Sequence, residues 1–221
     1  MPGAWEIREQ NKVMCAILHV DTTSIAWALG LRNLIVPGPV VVMAGMPFDH
    51  ARNEAVKHLL NSDCQYIFYM DSDIILPRDA VLRLLAHNKP IVSALYCRRS
   101  PPVGVPVMMK PVGNWITNFP PGALLEVDVV GCGAVLIHRY VFEKFPHQRP
   151  EAGKTWFDWR VDCQGVLPKE KCLSEDFTFF MACKEKLGIP VFVDTSIQAR
   201  HIGFGEATYG KFDACNATPV T

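Results

Sequence analysis

Hydrophobic positions fall into alternating strand-like and helix-like patterns along the first part of the chain. Four short apolar runs rich in β-branched residues predict buried strands, at 12–20, 39–45, 65–70 and 90–97. Apolar residues at helical spacing predict helices between them, over 25–36, over 49–61 and after Pro77, with Val81, Leu82, Leu84 and Leu85 as the last helix's buried stripe. Strands that alternate with helices predict an α/β fold, a three-layer sandwich whose central sheet is mostly parallel.

The second part of the chain has a different pattern. In order, we expect an irregular Pro- and Gly-rich stretch, a strand–glycine turn–strand–helix unit, a long loop, a helix and two strands, at 98–122, 124–145, 146–172, 174–188, 189–194 and 197–203. Ser174 is the expected N-cap of the last helix, and Gly188 is its expected C-terminal stop. No repeat or linker divides the chain, which favours a single domain over 1–221.

Charge and composition narrow the possible partners. The chain carries 22 Lys and Arg against 22 Asp and Glu, and this zero net charge argues against a nucleic-acid partner. No apolar run approaches the roughly 18 residues that a membrane span needs, and the N-terminus lacks the apolar segment of a secretory signal. The 8 cysteines form no Cys-x-x-Cys pair and are expected to be reduced, which predicts a cytoplasmic protein.

The candidate chemistry begins where the third predicted strand ends, at Asp71-Ser72-Asp73. Two carboxylates one residue apart leave the same face of an extended segment, so both can address one cation. An Asx turn at a strand–helix junction is the structural alternative, but such a turn needs one aspartate rather than two. The pair therefore predicts a site for a hard divalent cation.

Three further motifs accompany this pair: "ARNEAV" at 51–56, "SED" at 174–176 and "HIG" at 201–203. With these motifs the chain resembles the GT-A-fold glycosyltransferases over residues 13–205. It is most similar to short single-domain bacterial and phage members related to the large inverting family that includes cellulose and chitin synthases. The resemblance implies a Rossmann-like GT-A domain with a nucleotide-binding half, an acceptor-side half and a tail, at 1–97, 98–205 and 206–221.

The resemblance also implies a metal site. Asp71 matches the aspartate that faces the ribose and the metal shell of the donor, and Asp73 matches the aspartate that ligates Mn2+ or Mg2+ on the diphosphate. His201 matches a histidine that completes the metal shell, and mixed carboxylate and imidazole ligation favours Mn2+. A structural histidine near a strand end is the alternative for His201. The implied donor is a nucleotide-diphosphate sugar, and the implied acceptor is a hydroxyl group of a glycan, protein or lipid.

Glu175 and Asp176 match the acidic pair that supplies the catalytic base of inverting members, and Asp176 is the favoured base. A base must take the proton from the acceptor hydroxyl as that oxygen attacks the anomeric carbon. Two acids after a serine are also an ordinary helix start, because carboxylates there interact favourably with the helix dipole. Both interpretations stay open at the level of sequence.

Other positions match the nucleotide and sugar contacts of the family. The implied nucleotide-binding residues are Asp21, Thr22, Thr23, Arg52, Asn53, Asp71 and Ser72. The candidate contacts for the donor or acceptor sugar are a turn without bulk and two aromatic residues of the long loop, Gly131, Cys132, Gly133, Trp156 and Trp159. Helix capping, a solvated helix face and core packing under the loop are the structural alternatives.

Three other functions remain open from the sequence. A phosphatase of the haloacid dehalogenase type also places two aspartates after an apolar strand, but there the motif lies near the N-terminus, whereas here it follows two strands. A sugar-phosphate nucleotidyltransferase normally carries a Gly-rich basic loop after its first strand, which "HVDTTSIAW" lacks. A non-catalytic nucleotide-sugar-binding protein would keep the fold and bind without turnover.

Overall fold

The structure is a computed structural model that describes residues 12–19, 22–99, 104–146, 155–159 and 173–202. Its strands are β1 (Val13–His19), β2 (Val40–Ala44), β3 (Tyr66–Asp71), β4 (Ile74–Ile75), β5 (Ile91–Leu95), β6 (Met108–Met109), β7 (Leu124–Val127), β8 (Val129–Val130), β9 (Ala134–His138), β10 (Val191–Gln198) and β11 (Arg200–His201). Its helices are α1 (Ile25–Asn33), α2 (Phe48–Leu60), α3 (Ala80–Ala86), α4 (Arg139–Lys144) and α5 (Glu175–Leu187). Asp21, most of the loop predicted over 146–172 and the tail 206–221 lie outside the described residues.

A central sheet of seven strands forms the middle of the fold, in the order β2-β1-β3-β9-β5-β10-β7. Strands β2, β1, β3, β5 and β10 share one direction, while β9 and β7 run antiparallel to their neighbours. The mixed α/β fold and the mostly parallel sheet are confirmed. The antiparallel strand inside the sheet is β9, which follows the short turn at Gly131–Gly133 and inserts between β3 and β5.

Helices cover both faces of this sheet, which gives the predicted three layers. Side chains of β3 alternate between the layers: Phe68 packs with Trp27 of α1 and Leu84 of α3, whereas Tyr69 lies in the cluster that contains Val56 of α2 and Phe179 of α5. Both clusters consist of residues with almost no solvent exposure. Two dry interfaces of this kind hold the strand ends in fixed positions.

Two details of burial differ from the sequence prediction. The strand predicted as buried over 39–45 is the edge strand β2, where Val40 and Val42 are 48% and 57% exposed and Met43 is buried. Val40 and Val42 point to the same face of the sheet, and at an edge strand their side chains are flanked by those of one neighbouring strand, β1. In α3, Val81 and Leu84 are buried, but Leu82 is 40% exposed because it points to the other side of the helix.

The last two predicted strands are also rearranged in a way that matters for the site. Residues 191–198 form one strand, β10, with a register shift between Asp194 and Gln198. The short strand β11 then pairs antiparallel with β4, where His201 lies opposite Ile74. This pairing brings His201 and Ile202 of the "HIG" motif next to the turn that carries Asp73.

The carboxyl ends of β1, β3 and β5 lie at the same end of the sheet, and open α/β sheets bind their ligands beyond these ends. Asp71 is the last residue of β3, and Tyr96 and Cys97 follow β5. In the part of the chain that the structure describes, every helix is too short or too polar to cross a membrane.

Candidate active site

The turn at Asp71-Ser72-Asp73 is fixed by backbone hydrogen bonds on both sides. The amide of Asp71 donates to the Gly133 carbonyl (3.1 Å), and the amide of Ser72 donates to the Leu18 carbonyl (3.2 Å). The carbonyl of Asp73 accepts from the amide of Ile202 (2.7 Å). With the main chain held by three neighbouring segments, the two aspartate side chains project from a rigid support.

Both aspartates keep a buried oxygen without a hydrogen-bond partner among the described residues, Oδ1 of Asp71 and Oδ1 of Asp73. The nearest cation to Asp71 Oδ1 is Nη2 of Arg52 at 3.8 Å, a separation too long for a hydrogen bond. Burial raises the pKa of Asp71 above its ordinary value, and the charge of Arg52 opposes this shift. Buried carboxylate oxygens without partners are costly, and a bound cation would offset that cost.

Asp73 and His201 face each other across the β4–β11 pair. Nε2 of His201 lies 3.4 Å from Oδ2 of Asp73, and Nδ1 lies 2.8 Å from the Cys97 carbonyl oxygen. Because a carbonyl accepts and does not donate, Nδ1 carries a proton, and Nε2 is the ring nitrogen that faces Asp73. This arrangement directs Nε2 and a carboxylate oxygen of Asp73 toward each other, the two atom types that ligate a divalent cation such as Mn2+. The carbonyl of Cys97 thus orients the ring as the outer partners of metal-bound histidines do.

Arg99 is the residue that holds Asp73 most closely. Its Nη1 lies 2.6 Å from Oδ2 of Asp73, and a weaker contact of 3.4 Å reaches the carbonyl of Ile202. Oδ2 of Asp73 therefore belongs to an ion pair with Arg99, while Oδ1 of both aspartates has no hydrogen-bond partner among the described residues.

Within the described ranges, no group of three or more His, Cys, Asp and Glu side chains has the spacing of a metal centre.

Arg52 lies inside the protein rather than on a solvated helix face. The residue is 3% exposed, and its guanidinium donates from Nε to Oε1 of Glu175 at 3.1 Å. Burial alone would lower the pKa of Arg52, but the neighbouring Cys132 and the carboxylates of Asp71, Glu175 and Asp176 outweigh it and raise the pKa above its ordinary value. Arg52 is therefore a permanent cation that lies between the aspartate turn of β3 and the acidic start of α5.

The two acids at the start of α5 have different environments. Glu175 is 4% exposed and pairs with Arg52, and burial together with Asp176 raises its pKa. Asp176 is partly exposed; its Oδ1 accepts from the Phe177 amide (2.8 Å) and from the Ser174 hydroxyl. Its Oδ2 lies 3.4 Å from the Cys132 amide. Ser174 is the N-cap residue by position, but its hydroxyl serves Asp176 instead of the helix backbone.

The glycine turn before β9 packs against Tyr96, a residue that the sequence analysis did not select. The Tyr96 hydroxyl accepts a hydrogen bond from the Gly133 amide at 3.1 Å, and a Cβ at Gly131 would lie 1.9 Å from the same oxygen. A Cβ at Gly133 would lie 3.1 Å from Oδ2 of Asp71. Both glycines therefore make room for the site's own side chains. Cys132 is buried between them, and burial raises the pKa of its thiol.

The predicted nucleotide contacts divide into two groups. Thr22 and Thr23 are exposed beside the turn, where the Thr23 hydroxyl donates to the Ser72 carbonyl at 2.8 Å. The Asn53 side chain is buried and bonds to the backbone of Trp156 and Phe157. Thr22, Thr23 and Ser72 are thus accessible at the strand ends, whereas the amide of Asn53 is already used by the protein.

The two tryptophans predicted as sugar contacts also separate. Trp156 is 5% exposed and its ring nitrogen donates to the Phe142 carbonyl at 2.9 Å, so it is a core residue and its ring faces are not available for stacking. Trp159 is 45% exposed. The aromatic packing that the sequence left as an alternative therefore applies to Trp156, and Trp159 keeps an accessible ring.

No protein-family model and no curated protein matches the sequence. Among solved structures, the chain is similar to the crystal structure of A197 from STIV, a virus protein, with a TM-score of 0.60. The two chains are 16% identical, and the similarity covers 87% of this chain and 86% of the other. At this identity the likeness extends to the fold, which A197 shares over nearly its whole length.

Proposed function

We propose that this protein is a glycosyltransferase of the GT-A type that uses a divalent metal to transfer a sugar from a nucleotide-diphosphate sugar to an acceptor hydroxyl, with inversion. The observation that carries this proposal is the pair of buried, unpaired carboxylate oxygens on Asp71 and Asp73 at the carboxyl end of β3. Asp176, a partly exposed carboxylate, lies close enough to Asp71 to contribute to its raised pKa. A metal-assisted, inverting sugar transfer uses these two elements, a cation site and a base.

The described residues form no complete metal centre by themselves, but two aspartate oxygens fit Mn2+ or Mg2+ if the phosphates of the donor supply further ligands. Asp71 and Asp73 each offer an unpaired buried oxygen, and His201 offers Nε2, the ring nitrogen that faces Asp73. When bound there, the metal ion would neutralise charge that develops on the departing diphosphate. Carboxylate and imidazole together favour Mn2+ over Mg2+.

The nucleoside diphosphate would lie along the strand ends beside this site. Thr22, Thr23 and Ser72 offer hydroxyl groups there. Arg99, which is half exposed and pairs with Asp73, can turn its guanidinium toward a phosphate when a metal ion takes over that carboxylate.

Asp176 acts as the catalytic base. Hydrogen bonds from the Phe177 amide and the Ser174 hydroxyl fix Oδ1, and the Cys132 amide lies near Oδ2, so the carboxylate has one orientation. The acceptor hydroxyl gives its proton to Asp176 while its oxygen forms a bond to the anomeric carbon, and the bond from that carbon to the diphosphate oxygen breaks. An acceptor can reach Asp176 because this side chain is partly exposed, whereas Glu175 is buried and out of reach.

A thermal-shift screen of nucleoside diphosphates and nucleotide sugars, with and without Mn2+, tests the proposal. A ligand at 100 times its dissociation constant stabilises the folded state by about 2.7 kcal/mol, which raises the Tm of a protein this size by roughly 5–10 °C. Asp73→Ala should abolish the shift, because it removes a metal ligand.

Glu143→Gln is the matched control, because Glu143 lies at the other end of the sheet from Asp71. It belongs to α4, which follows β9 where that strand pairs with the start of β3. The hits should then be incubated with candidate hydroxyl acceptors, and the products analysed. Release of phosphate from simple monoesters would favour a phosphatase instead. Metal-dependent binding without transfer or hydrolysis would favour a binding protein.

A further inference from the structure

Arg52 contacts the two acidic motifs unequally. Its Nε donates to Glu175 Oε1 at 3.1 Å, whereas its Nη2 lies 3.8 Å from Asp71 Oδ1, too far for a hydrogen bond. Its Nη1 is buried and has no hydrogen-bond partner among the described residues. A guanidinium with an unsatisfied buried donor would gain from moving closer to another carboxylate, and Asp71 is next to it.

We infer that Glu175 is a positioning residue that holds Arg52 away from Asp71 and so leaves Oδ1 of Asp71 available to a divalent cation. The inference rests on the proposed function, because it assigns the buried acid of the "SED" motif a role in metal binding. Glu175 itself has no direct path to the metal, since its side chain is 5% exposed and its Oε1 is committed to Arg52. Its effect on Asp71 passes through the guanidinium.

The burial of both partners makes this restraint effective. The side chains of Arg52 and Glu175 are 4% and 5% exposed, so water does not replace either partner cheaply. The backbone carbonyl of Arg52 accepts from the Tyr69 hydroxyl at 2.9 Å, which fixes the start of the arginine side chain. If the carboxylate of Glu175 withdraws, the guanidinium therefore pivots about a fixed backbone and closes the remaining gap to Asp71.

Glu175→Asp tests this role without changing the net charge. The shorter side chain withdraws the carboxylate from Nε by about 1.5 Å, so Arg52 should pair with Asp71. Isothermal titration with Mn2+ alone should then give an affinity about tenfold or more below wild type, the scale of close charge-pair couplings. Wild-type Mn2+ affinity in folded Glu175→Asp would overturn the inference, because a simple contribution of negative charge is preserved in this variant.

A double-mutant cycle with Arg52→Gln separates the restraint from any other effect of Glu175. The loss of Mn2+ affinity in Glu175→Asp should disappear when Arg52 is already replaced, because no guanidinium remains to capture Asp71. A loss of equal size in both backgrounds would overturn the inference. Circular dichroism and thermal melting verify folding, and Glu175→Gln, which keeps the side chain's length, serves in the same cycle if Glu175→Asp does not fold.

The same titration separates this inference from the proposed function. If wild-type protein takes up Mn2+ and both Glu175 variants bind it equally well, the inference fails and the metal site stands. If folded wild-type protein takes up no Mn2+, the proposed function fails, and the inference falls with it because Asp71 has no cation to serve.

Discussion

Replacing Asn53 by alanine removes an amide that ties the segment 155–159 to helix α2. Oδ1 of Asn53 accepts from the backbone amides of Trp156 (2.8 Å) and Phe157 (3.1 Å), and Nδ2 donates to the Phe157 carbonyl (2.8 Å). Each neutral hydrogen bond contributes about 0.5–1.5 kcal/mol net, so the loss of three should lower the free energy of unfolding by roughly 2–4 kcal/mol. The rings of Trp156 and Phe157 belong to the core, so the whole domain should lose stability.

Urea denaturation followed by tryptophan fluorescence measures this loss. Asn61→Ala is the matched control: Asn61 is an exposed asparagine at the C-terminal end of the same helix, and its replacement should change stability by less than about 0.5 kcal/mol. Equal stabilities for the two variants would refute the anchoring role of Asn53. If Asn53 bound the nucleotide directly, Asn53→Ala would instead unfold almost like wild type and lose nucleotide affinity.

Three further predictions concern the base, the glycine turn and a buried histidine. Asp176→Asn should abolish sugar transfer but leave nucleotide binding nearly intact, because it removes the proton acceptor alone; product analysis and calorimetry on one sample measure both, and normal turnover would contradict the assignment. Gly131→Ala should lower the melting temperature, because its Cβ would lie 1.9 Å from the Tyr96 hydroxyl oxygen, and an unchanged melting temperature would contradict that crowding. Burial lowers the pKa of His138 to about 4, so the unfolded chain binds more protons and stability falls as pH drops from about 6.5 to 4. His138→Asn keeps an acceptor for the Tyr140 amide but does not titrate. Between pH 6.5 and 4 the variant should therefore lose less of its free energy of unfolding than wild type, by on the order of 2 kcal/mol, as measured by melts across this range. The same pH dependence in both proteins would contradict the prediction.

Most elements of the fold were predictable because their sequence patterns are local. The apolar runs and helical spacings identify β1, β3, β5, α2 and α5 with small errors at their ends. The position of β9 was not predictable in the same way. Its residues 134–137 are apolar on both faces, which suits any interior position of a sheet, and its insertion between β3 and β5 depends on contacts distant in the sequence.

The site was predictable where its residues are conspicuous in the sequence. Two aspartates at the end of a buried strand are unusual, whereas an arginine on a helix is ordinary, so the burial of Arg52 had no local signal. Its partner Glu175 lies 123 residues later, and the two charges become compatible with burial when the fold brings them together. Tyr96 did have an indirect signal. Two glycines around Cys132 leave space that a large side chain must fill, but the sequence does not say which one.

Isothermal titration of Mn2+ followed by uridine or guanosine diphosphate, into wild type, Asp73→Asn and Glu143→Gln, tests the central claim most directly. Wild type and Glu143→Gln should bind Mn2+ and then a nucleoside diphosphate more tightly than without the metal. Asp73→Asn should lose about tenfold or more of the Mn2+ affinity, because it replaces a charged ligand by a neutral amide. Absence of Mn2+ uptake by folded wild-type protein, or unchanged binding by Asp73→Asn, would contradict a cation site at the end of β3.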